Sequence, residues 1–256
     1  MERITNERAA EISEFESRES KLMPELEALR IPIQNILLQI SPNIERGEYS
    51  LIIGDDASGR IPALIMGNAI KGLYKERVFE KPEVLFVAGG RGDERLVLKK
   101  RKNVFDHICA TKKRLEHSRQ TALNKALIVT EDISTGSTIS PLVEAVENNN
   151  IQFDVVSVRI TAESGGFLNR LKSDSLRSRL KYGEVDPRPP MVYAKSHLSG
   201  VRKKHTDIFS YPYKKDLDSE KEKKEAQQTI NETRRQIKIL SRELVDWYNN
   251  ALAQIK

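Results

Sequence analysis

The sequence predicts an α/β protein in which a parallel sheet is flanked by helices, with further helices at the N-terminus and one long helix at the C-terminus. Short apolar runs bounded by turn residues indicate buried strands, and helix-like segments separate them. The repeated order of strand, helix and strand predicts parallel pairing with right-handed crossovers. We expect the strands at residues 51–53, 84–87, 126–129, 155–158 and, more weakly, 191–193.

Apolar residues at helical spacing place helices around these strands. Residues 4–29 and 33–44 predict N-terminal helices, with a break at Pro24 and an end at Gly47. Further helices are expected at residues 61–74, 104–124 and 141–149, and in a stretch after residue 162. The chain therefore divides into an N-terminal helical segment (1–48), an α/β core (49–213) and a C-terminal helix (214–256).

The C-terminal segment is rich in Lys, Glu and Gln before it becomes periodic. Its apolar residues fall at heptad-like intervals, namely Ile230, Ile237, Leu240, Leu244, Trp247 and Ala251. Two interpretations follow. The helix packs against the rest of the chain, or it forms a coiled coil that joins two copies into a homodimer.

Composition limits the classes of protein. With 256 residues, 38% of them hydrophobic and 31% charged, the chain suits one α/β domain with appended helices. No apolar run approaches the ~18 residues that a bilayer crossing needs, so we expect a soluble, cytoplasmic protein with no membrane partner. A single cysteine, Cys109, excludes an internal disulfide. The net charge of +6 suits either nucleic acid or a polyphosphate substrate.

One loop carries the strongest chemical signal. It follows an apolar strand, precedes a helix and holds the hydroxyl residues Ser134, Thr135, Ser137 and Thr138. Gly136 allows the tight turn that points several backbone N–H groups at one place. Such an arrangement binds phosphate, and the positive end of the next helix adds to it. The alternative is a surface turn with an ordinary helix cap at Ser137 or Thr138.

Two acids, Glu131 and Asp132, stand between the strand and this loop. Their charge would repel a phosphate, so they suit hydroxyl groups or a cation instead. A ligand that carries a phosphate at one end and a diol beside it, as ribose 5-phosphate does, satisfies both halves of the loop.

The run LIVTEDISTGST, residues 127–138, resembles the motif of type I phosphoribosyltransferases that binds 5-phosphoribosyl-1-pyrophosphate (PRPP). Thr130 departs mildly from it, because a further apolar residue is common there. The resemblance implies a phosphoribosyltransferase-like, Rossmann-related fold. It also implies that Glu131 and Asp132 are catalytic residues on the ribose hydroxyls, and that residues 134–138 cradle the 5-phosphate.

The same resemblance implies a pyrophosphate loop after the first strand, at residues 54–63. Ser58 and Gly59 would present backbone N–H groups, and Arg60 would pair bidentately with the pyrophosphate. Asp55 or Asp56 would reach a Mg²⁺ ion through water, as this ion commonly keeps several waters.

Two other interpretations of that loop stay open. The spacing from Gly54 to Gly59 imitates a P-loop, but Arg60 replaces the lysine and Ile61 removes the hydroxyl that binds magnesium. A nucleoside triphosphatase is therefore a poor second choice. The other interpretation is an ordinary helix start with Pro62 in its first turn and no ligand role for Arg60.

Residues 88–102 begin glycine-rich and end in four basic residues, Lys99, Lys100, Arg101 and Lys102. The resemblance implies a mobile loop here whose closure brings basic groups, Lys99 and Lys100 among them, to the leaving pyrophosphate. A solvated charge run is the alternative. For the acceptor, two interpretations stay open: His197, Ser199 and Arg202 contact the base or amine, or the polar loop that holds them is simply exposed. The N-terminal helices would form a hood.

The implied activity is that of a transferase, a phosphoribosyltransferase of nucleotide metabolism. It would depend on Mg²⁺, move the 5-phosphoribosyl group from PRPP to a base or an amine, and release pyrophosphate. A second class stays open, a regulator or RNA-binding protein that senses PRPP or a nucleotide on the same fold without turnover. Basic clusters at residues 99–102, 202–204 and 221–224 motivate that nucleic-acid alternative, although few aromatic residues interleave with them.

Overall fold

A five-stranded parallel sheet forms the centre of the protein. Its strands are β1 (Tyr49–Asp55), β2 (Glu83–Val87), β3 (Lys125–Ile133), β4 (Gln152–Ile160) and β5 (Leu180–Val185). Their order across the sheet is β2-β1-β3-β4-β5, and every pairing is parallel. The α/β class and the parallel sheet expected from the sequence are thus confirmed. The computed structural model describes residues 22–88, 94–119, 123–161, 171, 173–186, 192, 195–202 and 208–255.

The helices that connect and cover the strands alternate with them along the chain. They are α1 (Pro24–Glu27), α2 (Arg30–Gln39), α3 (Ser41–Glu45), α4 (Asp56–Glu76), α5 (Glu94–Arg119), α6 (Ser140–Asn148), α7 (Asp174–Arg179), α8 (Ser196–Ser199) and α9 (Glu220–Ile255). A short antiparallel pair, β6 (Val201–Arg202) with β7 (Tyr211–Pro212), leads into a 3-10 helix at Tyr213–Asp216.

The fifth strand does not lie where the sequence suggested. Of the expected run 191–193, only Val192 is among the described residues, and it is not in a strand. The edge position of β5 explains the error, because an edge strand has a neighbouring strand on one side only and is therefore more exposed. Tyr182 and Val185 are exposed on it, so it lacks the continuous apolar run that marks β1 and β3.

Helical layers cover both faces of the sheet. Successive strand residues point to opposite faces, so Ile52 packs with α2, α4 and α9, whereas Leu51 packs with α5 and α6. Burial on both faces explains why the central strands carry short apolar runs, such as residues 51–53 in β1 and 126–129 in β3. Helix α2 lies against β5, where the side chain of Asn35 donates to the carbonyl oxygen of Gly183. This part of the expected hood is therefore in a helical layer, and residues 1–21 lie outside the described ones.

The long helix α9 packs against the rest of the chain, as the first of the two interpretations expected. Leu240, Leu244 and Tyr248 are fully buried on it, and its strongest helix contact is with α4. Gly72 of α4 lets the two helices approach, because a β-carbon there would lie 2.9 Å from a methyl group of Val245. The apolar face that suggested a homodimer is thus covered within the chain. Among the described helices, none is both long and apolar enough to cross a membrane.

Helix α5 begins at Glu94, ten residues before the expected start. The basic residues 99–102 consequently belong to the body of a helix and not to a loop, which corrects that expectation. Lysine and arginine are good helix formers, so an apolar pattern alone places this start too late. The glycine-rich residues 89–93, the rest of the expected lid, lie outside the described residues.

Candidate functional site

The strand order creates a crevice between β1 and β3. From β1 the chain passes to β2 on one side, and the later strands continue from β3 on the other. Open α/β sheets bind ligands at such a switch point, outside the carboxyl ends of the strands. Gly54 pairs in register with Val129. The structure therefore brings the two loops singled out in the sequence, residues 54–63 and 130–138, to the same edge of the sheet.

The first of these loops is short, because α4 begins at Asp56. This is earlier than the start with Pro62 in the first turn that one interpretation required. The residue before the helix, Asp55, makes no side-chain hydrogen bond to a helix N–H. Its carboxylate accepts instead from the Ser58 hydroxyl at 2.7 Å. The N–H groups in the first turn of a helix have no partner inside that helix, and the first turn of α4 follows β1 at this edge of the sheet.

The second loop turns at Gly136, whose φ of +74° lies in the left-handed region. Its carbonyl oxygen accepts from the N–H groups of Ile139 at 3.1 Å and Ser140 at 2.9 Å. Helix α6 then begins with Ile139 as its N-cap and without a side-chain cap, which is not the ordinary cap at Ser137 or Thr138.

Backbone donors accumulate in this loop. Within the described part of the chain, the N–H groups of Thr135, Gly136 and Thr138 donate to no protein oxygen. The hydroxyl of Thr135 contacts that of Ser137 at 3.1 Å, so these side chains do not cap the helix either. Unpaired N–H groups before a helix N-terminus are what an anion such as phosphate binds.

The two uncapped helix N-termini, of α4 and α6, therefore flank one crevice. Each carries a partial positive charge, and both follow neighbouring strands. The arrangement suits a ligand with an anionic group at each end.

The acidic pair between them is divided. Glu131 and Asp132 are successive residues of β3, so their side chains leave on opposite faces. Glu131 is buried, and its carboxylate accepts from the backbone N–H of Val192. Asp132 is half-buried and accepts from the Thr161 hydroxyl at 2.8 Å.

Burial raises the pKa of Asp132, although the hydrogen bond from Thr161 and the positive charge of Arg159 act in the opposite direction. Its charged form is therefore less stable than that of an exposed aspartate. A cationic group or several hydroxyl groups placed beside it would stabilise that charge.

Arg60 is held in place by an acid and a ring. Its guanidinium lies 2.5 Å from the fully buried Asp56 and 4.3 Å from the centre of the Phe86 ring. Asp56 also accepts from the backbone N–H of Ser210. The buried Nε of Arg60 and the Ser210 hydroxyl have no hydrogen-bond partner in the protein. Buried polar atoms are rarely left unpaired, so these two groups favour a polar ligand beside them.

The segment around Ser210 was not predicted from the sequence as part of the site. The carbonyl oxygen of Ile208 accepts from Ala88 at the end of β2, and Phe209 stacks edge-on against His107 with centres 5.1 Å apart. Burial and the charge of Arg114 lower the pKa of His107, so the imidazole is neutral at pH 7. Local patterns gave no signal for Ser210, because it reaches the site from a distant part of the chain.

The carboxylates at this edge of the sheet were expected to lie near a magnesium ion. No group of three or more His, Cys, Asp or Glu side chains converges at metal-binding distance among the described residues. Asp55 and Asp56, which were expected to reach Mg²⁺ through water, are buried and engaged with Ser58 and with Arg60. Each of the two carboxylates therefore already has a partner within the protein.

The remaining predicted residues lie on α5, α8 and β6. On α5, Lys99 is exposed, Lys100 is buried, and Arg101 lies 3.4 Å from Glu144 of α6. Of the residues expected to contact an acceptor, His197 is exposed. The Ser199 hydroxyl donates to the carbonyl oxygen of Val201, and Arg202 pairs with Asp216. No described contact connects these three residues to the crevice.

Comparisons of the chain with models of protein families, with curated proteins and with solved structures gave no match, so its assignment depends on the crevice itself.

Proposed function

We propose that the chain binds PRPP across the crevice between β1 and β3 and is a phosphoribosyltransferase, as the resemblance of residues 127–138 to type I enzymes implies. The observation that carries the proposal is the pair of uncapped helix N-termini on either side of Asp132. PRPP has the matching form, with a phosphate at one end, a pyrophosphate at the other and a ribose diol between them.

In this proposal the 5-phosphate lies in the loop 134–138. It accepts from the unpaired N–H groups of Thr135, Gly136 and Thr138, and the hydroxyls of Ser134 and Ser137 line the same loop. Asp132 accepts a hydrogen bond from a ribose hydroxyl. Hydrogen bonds to a charged group contribute about 1.5–3 kcal/mol each, so several together hold the sugar firmly.

The pyrophosphate lies at the N-terminus of α4. Ser58 and Gly59 are in the first turn of that helix, and the unpaired Nε of Arg60 supplies a charged donor. Asp56 neutralises part of the arginine charge. Together with the Phe86 ring beneath the guanidinium, it also fixes the direction of that group. The positive end of the helix then offsets the negative charge of Asp55 and Asp56.

The transfer step forms a bond from the acceptor nitrogen to the anomeric carbon and breaks the bond from that carbon to the pyrophosphate oxygen. Pyrophosphate leaves with the electron pair, and the acceptor nitrogen loses its proton to solvent. Positive charge grows on the sugar during the step, and the carboxylate of Asp132 stabilises it. Arg60 stabilises the negative charge that grows on the leaving group.

Glu131 is a positioning residue in this account. Its carboxylate is buried and holds the N–H of Val192, the segment that follows the last strand of the sheet. Magnesium, which the resemblance implies, would arrive on the phosphates of PRPP, because Mg²⁺ is commonly held by substrate phosphates and water. Lys99, which is exposed on α5, and Lys100, which is buried there, are the remaining basic residues proposed to contact pyrophosphate.

The burial of Glu131 also favours a second candidate function. A site in which one acid of the pair is engaged within the protein suits binding without turnover, which is the behaviour of a PRPP sensor. Both functions use the same crevice, but only the transferase also binds an acceptor and transfers the sugar to it.

The test is release of pyrophosphate when the full chain is incubated with PRPP, Mg²⁺ and a panel of bases and amines. We expect release with at least one acceptor and a loss of at least about tenfold in Asp132→Asn, which corresponds to about 1.4 kcal/mol. Asp246→Asn is the matched control, because Asp246 is exposed on α9. Binding of PRPP without release favours the sensor, and no binding of PRPP contradicts both candidates.

A further inference from the structure

A groove lined by lysines lies between the 3-10 helix Tyr213–Asp216 and the first turns of α9. Its volume is about 690 Å³, and its lining residues are Lys214, Lys215, Glu220, Lys223, Lys224 and Gln227. We call it the lysine groove. All six residues are exposed or half-exposed, so the groove is open to solvent along its length.

The fold separates charges that are mixed in the sequence. Lysines and acids alternate closely between residues 214 and 224. Asp216 is engaged elsewhere, because it accepts from Arg202 at 3.1 Å and from the Tyr211 hydroxyl at 2.9 Å. Glu222 accepts from both the N–H and the hydroxyl of Ser219, which caps the start of α9. These two acids do not line the groove.

What remains in the groove is strongly positive. Glu220 is the one carboxylate among its lining residues, and it pairs with Lys223 at 2.8 Å. Lys214, Lys215 and Lys224 have no carboxylate within ion-pair distance in the described part of the chain. Three ammonium groups therefore repel one another, and a polyanion placed between them would relieve this repulsion.

The form of the groove indicates which polyanion fits. Exposed lysines are flexible point charges that follow a line of phosphates, whereas a single bound phosphate is held by converging buried donors. Gln227 adds an amide for hydrogen bonds. Among the lining residues none is apolar, although binding at a membrane surface requires apolar side chains that enter the lipid. A concave strip also suits one strand better than a duplex, whose grooves receive a protruding helix or ribbon.

We propose that the lysine groove binds the phosphate backbone of a single-stranded nucleic acid. At one end, Tyr213 precedes Lys214, and the guanidinium of Arg202 lies 5.6 Å from the centre of the Tyr213 ring. Asp216 pairs with this guanidinium, so the contribution of Arg202 and Tyr213 is a planar surface on which a base can stack, as in proteins that bind single strands. The fold thus joins the basic residues near 202 to those near 221–224, which are far apart in the sequence.

The experiment measures fluorescence anisotropy of labelled oligouridine and oligothymidine of about twelve nucleotides, a length within the range of single-strand sites. The full chain is compared with the variant Lys214→Glu/Lys215→Glu/Lys224→Glu. The matched control is Lys75→Glu/Lys113→Glu/Lys238→Glu, which makes the same change of charge at exposed lysines elsewhere. Binding of both oligonucleotides indicates recognition of the backbone alone, and binding of oligouridine alone adds the 2′-hydroxyl; either supports the proposal.

We expect the groove variant to bind at least about tenfold more weakly than the control at about 50 mM salt. The slope of log affinity against log salt should also fall by about two, because each phosphate contact on a single strand contributes about 0.7 to that slope. Equal weakening in both triple variants overturns the proposal. So does binding to phosphatidylserine vesicles with no binding to either oligonucleotide. Pyrophosphate release from PRPP should not change in the groove variant, which separates this test from that of the crevice.

Discussion

Gly59 and Val129 are in closer contact than any other residue type at position 59 would allow. A β-carbon on Gly59 would lie 2.2 Å from the carbonyl oxygen of Val129. That oxygen belongs to the backbone of β3, so no rotation of a side chain relieves the clash. This contact sets the distance between the N-terminus of α4 and the acidic pair at the end of β3.

Gly59→Ala should therefore weaken both the fold and the site. We expect overpacking to lower the free energy of unfolding by about 1–3 kcal/mol, measured by urea denaturation, and to lower PRPP affinity as α4 moves away from β3. Gly72→Ala in the same helix is the control. Its β-carbon would lie 2.9 Å from a methyl group of Val245 on α9, towards the other end of α4 from the crevice, so stability should fall while PRPP affinity stays unchanged. Equal PRPP affinity in wild type and Gly59→Ala would contradict the role of this spacing.

Asp132→Asn should separate stability from function. Because burial raises the folded-state pKa of Asp132, the folded protein holds this proton more tightly than the unfolded chain. The contribution to stability therefore falls as pH rises from the ordinary aspartate range through the folded-state pKa. The asparagine variant lacks this loss and should be at least as stable as wild type at neutral pH, with a difference that vanishes in acid.

Thermal unfolding of both proteins from about pH 3 to pH 7 measures this difference. Their stabilities should diverge only above about pH 3.9, the ordinary pKa of aspartate. Asp246→Asn serves as its control. A variant that is less stable at pH 7 than at pH 4, relative to wild type, would show that ionised Asp132 stabilises the fold.

Asp56→Ala should be strongly destabilising. It leaves the guanidinium of Arg60 and the N–H of Ser210 without their buried partner. Removal of one member of a buried ion pair costs about 3–5 kcal/mol. The same substitution at Asp174, whose side chain is 96% exposed in its pair with Arg177, should cost less than about 1 kcal/mol. Urea denaturation measures the free energy of unfolding. Similar losses in the two variants would mean that Asp56 is not essential to its contacts with Arg60 and Ser210.

Tyr49→Phe should affect stability without affecting the crevice. The Tyr49 hydroxyl is buried at the opposite end of the strands, where it donates to Asp154 at 2.7 Å and accepts from Asn43 at 3.1 Å. Burial, followed by the charge of Asp154, raises the pKa of Tyr49, so the ring stays protonated in the folded state. We expect a loss of about 1.5–3 kcal/mol in the free energy of unfolding and unchanged PRPP affinity.

Tyr182→Phe, at an exposed ring on β5, is the control and should change stability by less than about 0.5 kcal/mol. A fall in PRPP affinity in Tyr49→Phe would show that the two edges of the sheet are coupled.

The central strands could be predicted from the sequence because burial on both faces gives each of them a short run of apolar residues. The edge strand β5 could not, because it has no such run: Leu180 is buried, whereas Tyr182 and Val185 are exposed. The start of α5 was also missed, since basic residues form helices without an apolar pattern. Local composition therefore predicts interior elements better than edges and exposed helix ends.

For the site, the sequence located the two loops because each combines a strand end with a helix start. It did not separate Glu131 from Asp132, although alternation along a strand already places successive side chains on opposite faces. Thr161 follows β4 at the same edge of the sheet, so its position near Asp132 was also predictable from the order of the strands. Ser210 and Val192 could not be predicted to lie at the site, because their contacts with Asp56 and Glu131 join residues that are far apart in the chain.

The central claim is that PRPP binds between the two uncapped helices with Asp132 on its ribose. Isothermal titration of the full chain with PRPP in the presence of Mg²⁺ tests it most directly. We predict saturable binding with one site per chain, a loss of at least about tenfold in affinity for Asp132→Asn, and unchanged affinity for Asp246→Asn. The absence of saturable binding to the wild-type chain, or equal affinity in all three proteins, would contradict the account.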